Sequence, residues 1–141
     1  MTARQSYHLT FARFSPLLSV RSFSASEAVN TAYRVEITAT STDSSLPLSS
    51  YLNQRAAFEI RPQEGLLSEV VSAFGSASDD PPAKQWQGII TSCEKLSVSK
   101  DETVYRFVLE PRFAALKHFQ TSRLFQHQTV PDIVAAVFKH H

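Results

Sequence analysis

The strongest constraint on this chain is an alternation of period two that recurs along it. Tyr33, Val35, Ile37 and Ala39 alternate with Arg34, Glu36 and Thr38. Successive side chains of an extended strand point to opposite faces, so one face is destined for a core and the other for water. The same pattern returns twice. Ala56, Phe58 and Ile60 alternate with Ala57, Glu59 and Arg61 before Pro62, and Tyr105, Phe107 and Leu109 alternate with Arg106, Val108 and Glu110 before Pro111. A proline closes both runs because it cannot donate to a sheet ladder. The inward set Val35, Ile37, Phe58, Tyr105, Phe107 and Leu109 is therefore expected to share one core.

Weaker signals fill the intervals. Leu18, Val20 and Phe23 suggest a short strand that the polar stretch Ser24–Glu27 should end. Met1–Pro16 is mixed and suggests no element. Trp86–Leu96 reads as a long strand with Gly88 a candidate bulge, and Ser99–Glu102 as a turn. Leu46–Leu52 has room for one helical turn with Ser49 as its cap, and Phe113 with Leu116 fits a brief helix. Arg123–Gln126 suggests one more strand. Leu66, Leu67, Val70, Val71 and Phe74 form an apolar patch, a hairpin arm or short helix, and residues 75–84 are expected to be a mobile loop. The clearest helix comes last. Thr129 can cap it, Pro131 sits in its first turn, and Val130, Ile133, Val134, Val137 and Phe138 form one apolar stripe.

The expected fold is mainly β, a barrel of short antiparallel strands with a few short helices and an amphipathic C-terminal helix. With 141 residues the chain has the size of one domain, residues 1–141. An apolar stripe that runs to the final residues suggests a piece of a longer protein.

Composition excludes more than it assigns. Fourteen basic against thirteen acidic side chains give no basic stripe for nucleic acid. Cys93 is the only cysteine, so no internal disulfide can form. Arg13 and Pro16 interrupt any signal-peptide core, and no window reaches the roughly 18 apolar residues of a membrane helix.

With three glycines, phosphate-cradling loops have little raw material. Adjacent His140 and His141 could bind a metal, but terminal histidines are usually solvated. His118 and His127 could meet Asp132 as an acid–base group, yet surface polarity explains them equally. Cys93 in a strand suits an inert thiol. Asp79-Asp80, beside two prolines, suits a loop tip. Trp86, Tyr105 and Phe107 could stack nucleobases, but aromatics at strand spacing are usually core. We therefore expect no catalytic, cofactor-binding or metal-binding residues, no cofactor and no enzyme.

Several segments in order resemble the N-terminal region of VgrG-type spike proteins and related phage tail hubs. Leu18 to Ile37 resembles their opening hairpin. Trp86-Gln-Gly-Ile-Ile-Thr91 resembles an aromatic-x-Gly strand, and Tyr105 to Leu116 a strand that ends in a Leu-x-Pro turn before a short helix. Arg123-Leu-Phe-Gln126 with Thr129-Val-Pro-Asp-Ile133 resembles an Arg-x-Phe-Gln element and its helix. Asn53 departs from the pattern, standing where a glycine is expected. The resemblance implies a structural hub that trimerises in the full-length protein and joins an Hcp-like tube to a type VI secretion spike, in contact with baseplate proteins. It implies folding in the bacterial cytoplasm and export by the contractile apparatus without a signal peptide. It implies no nucleic-acid partner and no membrane insertion. Alternatives are a tail hub of a contractile phage or phage-like particle and, in another class, a free-standing barrel that binds a ligand or single strands.

Overall fold

The alternating runs form the centre of one antiparallel sheet. The computed structural model describes residues 5–14, 16–62 and 84–140. Its strands are β1 (Gln5–Phe11), β2 (Ser19–Ala28), β3 (Thr31–Ser41), β4 (Arg55–Pro62), β5 (Lys84–Val98) and β6 (Thr103–Glu110). The helices are α1 (Leu48–Tyr51), a 3-10 helix (Arg112–His118) and α2 (Val130–Lys139). The order across the sheet is β1-β4-β5-β6-β3-β2, with every pair antiparallel.

The fold is a half-barrel. The two end strands, β1 and β2, share no backbone ladder among the described residues. They meet through side chains: Tyr7 and Phe23 have ring centroids 5.2 Å apart, and Phe23 lies 4.9 Å from Phe58. Val35, Ile37, Phe58, Tyr105, Phe107 and Leu109 are all fully buried in one cluster, as the alternation requires. Helix α1 drops Tyr51 into the same cluster, against Phe11 at 4.9 Å and Phe107 at 5.8 Å.

Several expectations need correction. β1 was not expected, although Tyr7, Leu9 and Phe11 alternate with Ser6, His8 and Thr10; as an edge strand it buries little beyond Phe11. β2 does not stop at Ser24 but continues to Ala28. An edge strand tolerates small polar residues on its outer face, and pairing with β3 fixes its path. Pro47, not Ser49, precedes α1, which has no side-chain cap. Gly88 is not bulged, because it pairs regularly with Ala56; the irregularities of β5 lie between Ile90 and Ser92 and between Lys95 and Ser97. Arg123–Gln126 is not a strand: the segment is irregular and pairs with neither edge of the sheet. Lys84, placed in the expected loop 75–84, instead opens β5, where it pairs with Ile60. The rest of that loop and the apolar patch from Leu66 to Phe74 lie outside the described residues.

Asn53 explains its own departure from the family pattern. Its φ of 60° is left-handed, and its N–H bonds the Ile90 carbonyl at 2.9 Å. Asparagine is among the few residues other than glycine that enter this region readily. Asn53→Gly should therefore leave stability within about 0.5 kcal/mol of the parent, whereas Asn53→Val should lose roughly 1–2 kcal/mol. Urea unfolding of the two variants distinguishes these outcomes.

Candidate interaction surface

The residues with chemical potential are scattered. Cys93 is half-buried on β5 and donates to the Leu48 carbonyl at 2.9 Å. Burial, and then the charge of Glu94, push its thiol pKa up, away from a reactive thiolate. Asp132 is occupied at the start of α2, where its carboxylate accepts from the Thr129 N–H at 3.2 Å and hydroxyl at 2.5 Å. It therefore serves as a helix cap and not as a partner of His118 or His127. His118 ends the 3-10 helix and His127 sits in coil with a left-handed φ of 56°; both are exposed. Trp86, Tyr105 and Phe107 are in the core, so they offer no stacking platform. Among the described residues no three His, Cys, Asp or Glu side chains are grouped to hold a metal. His141 and Asp79-Asp80 lie outside the described residues.

What the fold does assemble is a surface. Register places Arg55, Ile89 and Glu110 side by side across β4, β5 and β6, on the outer face. The chain turns at Pro111 and the 3-10 helix folds back over that row. Glu110 is buried beneath it. Its carboxylate accepts from Thr91 Oγ1 at 2.8 Å and Lys117 Nζ at 3.0 Å, with Arg34 3.5 Å away. Burial alone would raise the Glu110 pKa, but the hydrogen bonds from Lys117 and Thr91 and the charges of Lys117 and Arg34 hold it below the usual carboxylate range. The carboxylate thus anchors the 3-10 helix to the sheet. No sequence pattern marked it, because Glu110 falls at an ordinary outward position of β6.

Glu110→Gln should cost about 1–3 kcal/mol at neutral pH, since Lys117 loses its counter-charge and Arg34 keeps only Glu36. The sign with pH follows from the lowered folded value. The contribution is full above the unfolded carboxylate range and is lost as pH falls through the folded value. The gap in melting temperature between parent and variant should close in strong acid. The pairs Arg21–Glu102 and Arg106–Glu94 join exposed side chains and add little.

Beyond the anchor, apolar side chains face outward. Phe113 is 51% exposed, Phe138 52% and Val130 73%, and α2 has no buried residue. A groove of about 550 Å³ runs between the 3-10 helix, α2 and the sheet, lined by Phe113, Leu116, Phe119, Phe138 and Arg55 among others. Singly exposed apolar residues are ordinary, but Phe113, Leu116, Phe119 and Phe138 are grouped around one groove, which makes it the candidate interaction surface. Residues 26–141, which include this surface and strands β3 to β6, match the phage tail baseplate hub (GPD) family.

The chain belongs to that family. Its hub sheet is similar to the E. coli c3393 protein, a component of the type VI secretion system with structural similarity to the T4 bacteriophage tail proteins gp27 and gp5. The TM-score is 0.72 at 27% identity, over 94% of this chain and 31% of that one. The type VI secretion system spike protein VgrG4b of Pseudomonas aeruginosa PAO1 is 30% identical over 124 residues, 88% of this chain and 13% of the relative. The hub chain thus spans a minor part of each protein that it resembles. It corresponds to the hub region of VgrG-type spike proteins. No helix among the described residues is long and apolar enough to cross a membrane.

Proposed function

We propose that this chain is the N-terminal hub part of a VgrG-type spike protein, a structural component of a type VI secretion puncturing device. The observation that carries this reading is the family match over 26–141 together with the likeness to VgrG4b across 88% of the chain. The relatives are structural tail and spike proteins, and the hub reading gives this chain no catalytic role. In the assembled device the hub trimerises and joins an Hcp-like tube to the spike, beside baseplate proteins. Residues 1–141 act as one unit. They fold in the bacterial cytoplasm and leave with the contractile apparatus, without nucleic acid and without membrane insertion.

In-frame deletion of residues 5–140 from the chromosomal gene tests the role. Release of the tube protein into the medium should fall to the level of a sheath-deleted strain. Unchanged release would overturn the proposal. The likeness to phage tail hubs supports a second reading, a hub of a contractile phage particle. Induced particles whose tails fail to assemble without this chain would favour it.

The 141-residue chain alone should be a monomer or weak associate in light scattering at micromolar concentration. Contacts of modest size do not offset the roughly 4–15 kcal/mol lost on association for each added partner. A tight trimer would show that hub surfaces suffice for assembly.

A further inference from the structure

The seam of the half-barrel carries a polar contact that the aromatic packing does not require. In the sheet order, β2 and β5 are three strands apart. Three inter-strand steps would separate them by about 14 Å in a flat sheet. Yet Glu27 Oε1, on β2, accepts the Trp86 indole N–H of β5 at 2.5 Å. Its other oxygen, Oε2, takes Lys84 Nζ at 3.1 Å, and that ammonium lies 5.1 Å from the centre of the Trp86 ring. The three groups therefore close on one another, carboxylate to indole, carboxylate to ammonium, ammonium to ring. Such a closed set exists only while the sheet is curled.

Position in the strand supports the same role. The register of β2 is irregular between Ser26 and Ala28, which brackets Glu27, and such irregularities re-aim a side chain. β2 is an edge strand, with a backbone ladder to β3 alone. Across the seam it is otherwise held by ring contacts of Phe23 with Tyr7, Phe58 and Trp86. Those contacts are non-directional and permit sliding, whereas a hydrogen bond to the indole N–H of the buried Trp86 does not.

We infer that Glu27, Lys84 and Trp86 form a latch that holds the half-barrel shut at one end of its seam, so that releasing the carboxylate lets β2 swing away from β5. Without the latch, β2 also frays from β3, its one ladder partner, and the opening is local because β5 and β6 keep their own ladder.

Trp86 is the sole tryptophan and reports on the latch directly. Glu27 and Lys84 are half-exposed, with side-chain exposures of 48% and 49%, so Glu27→Ala and Lys84→Met remove latch atoms without cutting the core. Amide hydrogen exchange and tryptophan emission are measured on the 141-residue chain and both variants. In Glu27→Ala, exchange at residues 19–28 should rise roughly ten-fold while β5 and β6 amides keep their protection, a signature of local opening. Emission should shift to the red, and Lys84→Met should move both readouts in the same direction by less. Unchanged exchange in β2 would overturn the latch. So would equal acceleration in β2, β5 and β6, which means that Glu27 serves global stability and not the seam.

Discussion

Phe107→Ala should remove about 3–5 kcal/mol of stability, the cost of deleting a large aromatic from a packed core. Phe107 is fully buried at the middle of β6, opposite Ile37 on one side and Cys93 on the other. Its ring meets Phe11 at 5.4 Å in an edge arrangement and Tyr51 at 5.8 Å. Truncation therefore loosens β1 and α1 together with the sheet centre. For a domain of this size the melting temperature should drop by roughly 10 °C or more. Scanning calorimetry measures it, and an unchanged melting curve would contradict the position of Phe107 at the centre of the core.

Gly88→Ala should be nearly as damaging for the opposite reason. A Cβ on Gly88 would overlap the backbone carbonyl oxygen of Glu110 and sit 2.9 Å from the Tyr33 hydroxyl. That hydroxyl donates to the neighbouring Gln87 carbonyl, so it has no freedom to retreat. β5 and β6 would have to part exactly where their ladder ends beside the buried Glu110. Overpacking of this kind costs typically 1–3 kcal/mol, and a backbone obstruction belongs at about 3 kcal/mol. Tyr33→Phe should fail to rescue the variant, since the main obstacle is backbone. Denaturant midpoints of the single and double variants settle the matter, and full rescue would place the clash at the phenol instead.

The sheet centre was legible in the sequence because β3, β4 and β6 alternate cleanly between apolar and polar residues. Their inward residues needed no tertiary information. β1 and the second half of β2 were harder to see for a physical reason. Edge strands bury little, so Ser22, Ser24 and Ser26 impose no apolar period while the backbone pairing with β3 still holds them extended. The bulges of β5 were misplaced at Gly88 because glycine there answers a close approach by Glu110 and not a change of register. Arg123–Gln126 looked like a strand, but a short apolar-polar run becomes one only if a ladder edge is free beside it.

The interaction surface was half visible. The stripe of α2 was plain from its spacing, and its exposure could be inferred from nothing but the fold. The Glu110 anchor and the Glu27 latch were invisible. The latch joins residues far apart in the chain that only the curl of the sheet brings together, and the anchor forms only because the 3-10 helix folds back over β6. Asn53 lay between these cases, flagged as odd by resemblance and explained only by its backbone angle.

The strand order also sets a timetable for a chain that emerges from its N-terminus. β2 and β3 can pair at once as a hairpin, but the other edge of β3 belongs to β6, so Val35 waits for Leu109. β1 waits likewise for β4. Until β6 has been synthesised, the nascent hairpin offers an unpaired edge and an apolar face with no core to enter. Distant pairings of this type fold slowly because loop closure precedes any gain from contact. The interval before β6 appears is thus the stage at which this chain most needs protection from its neighbours.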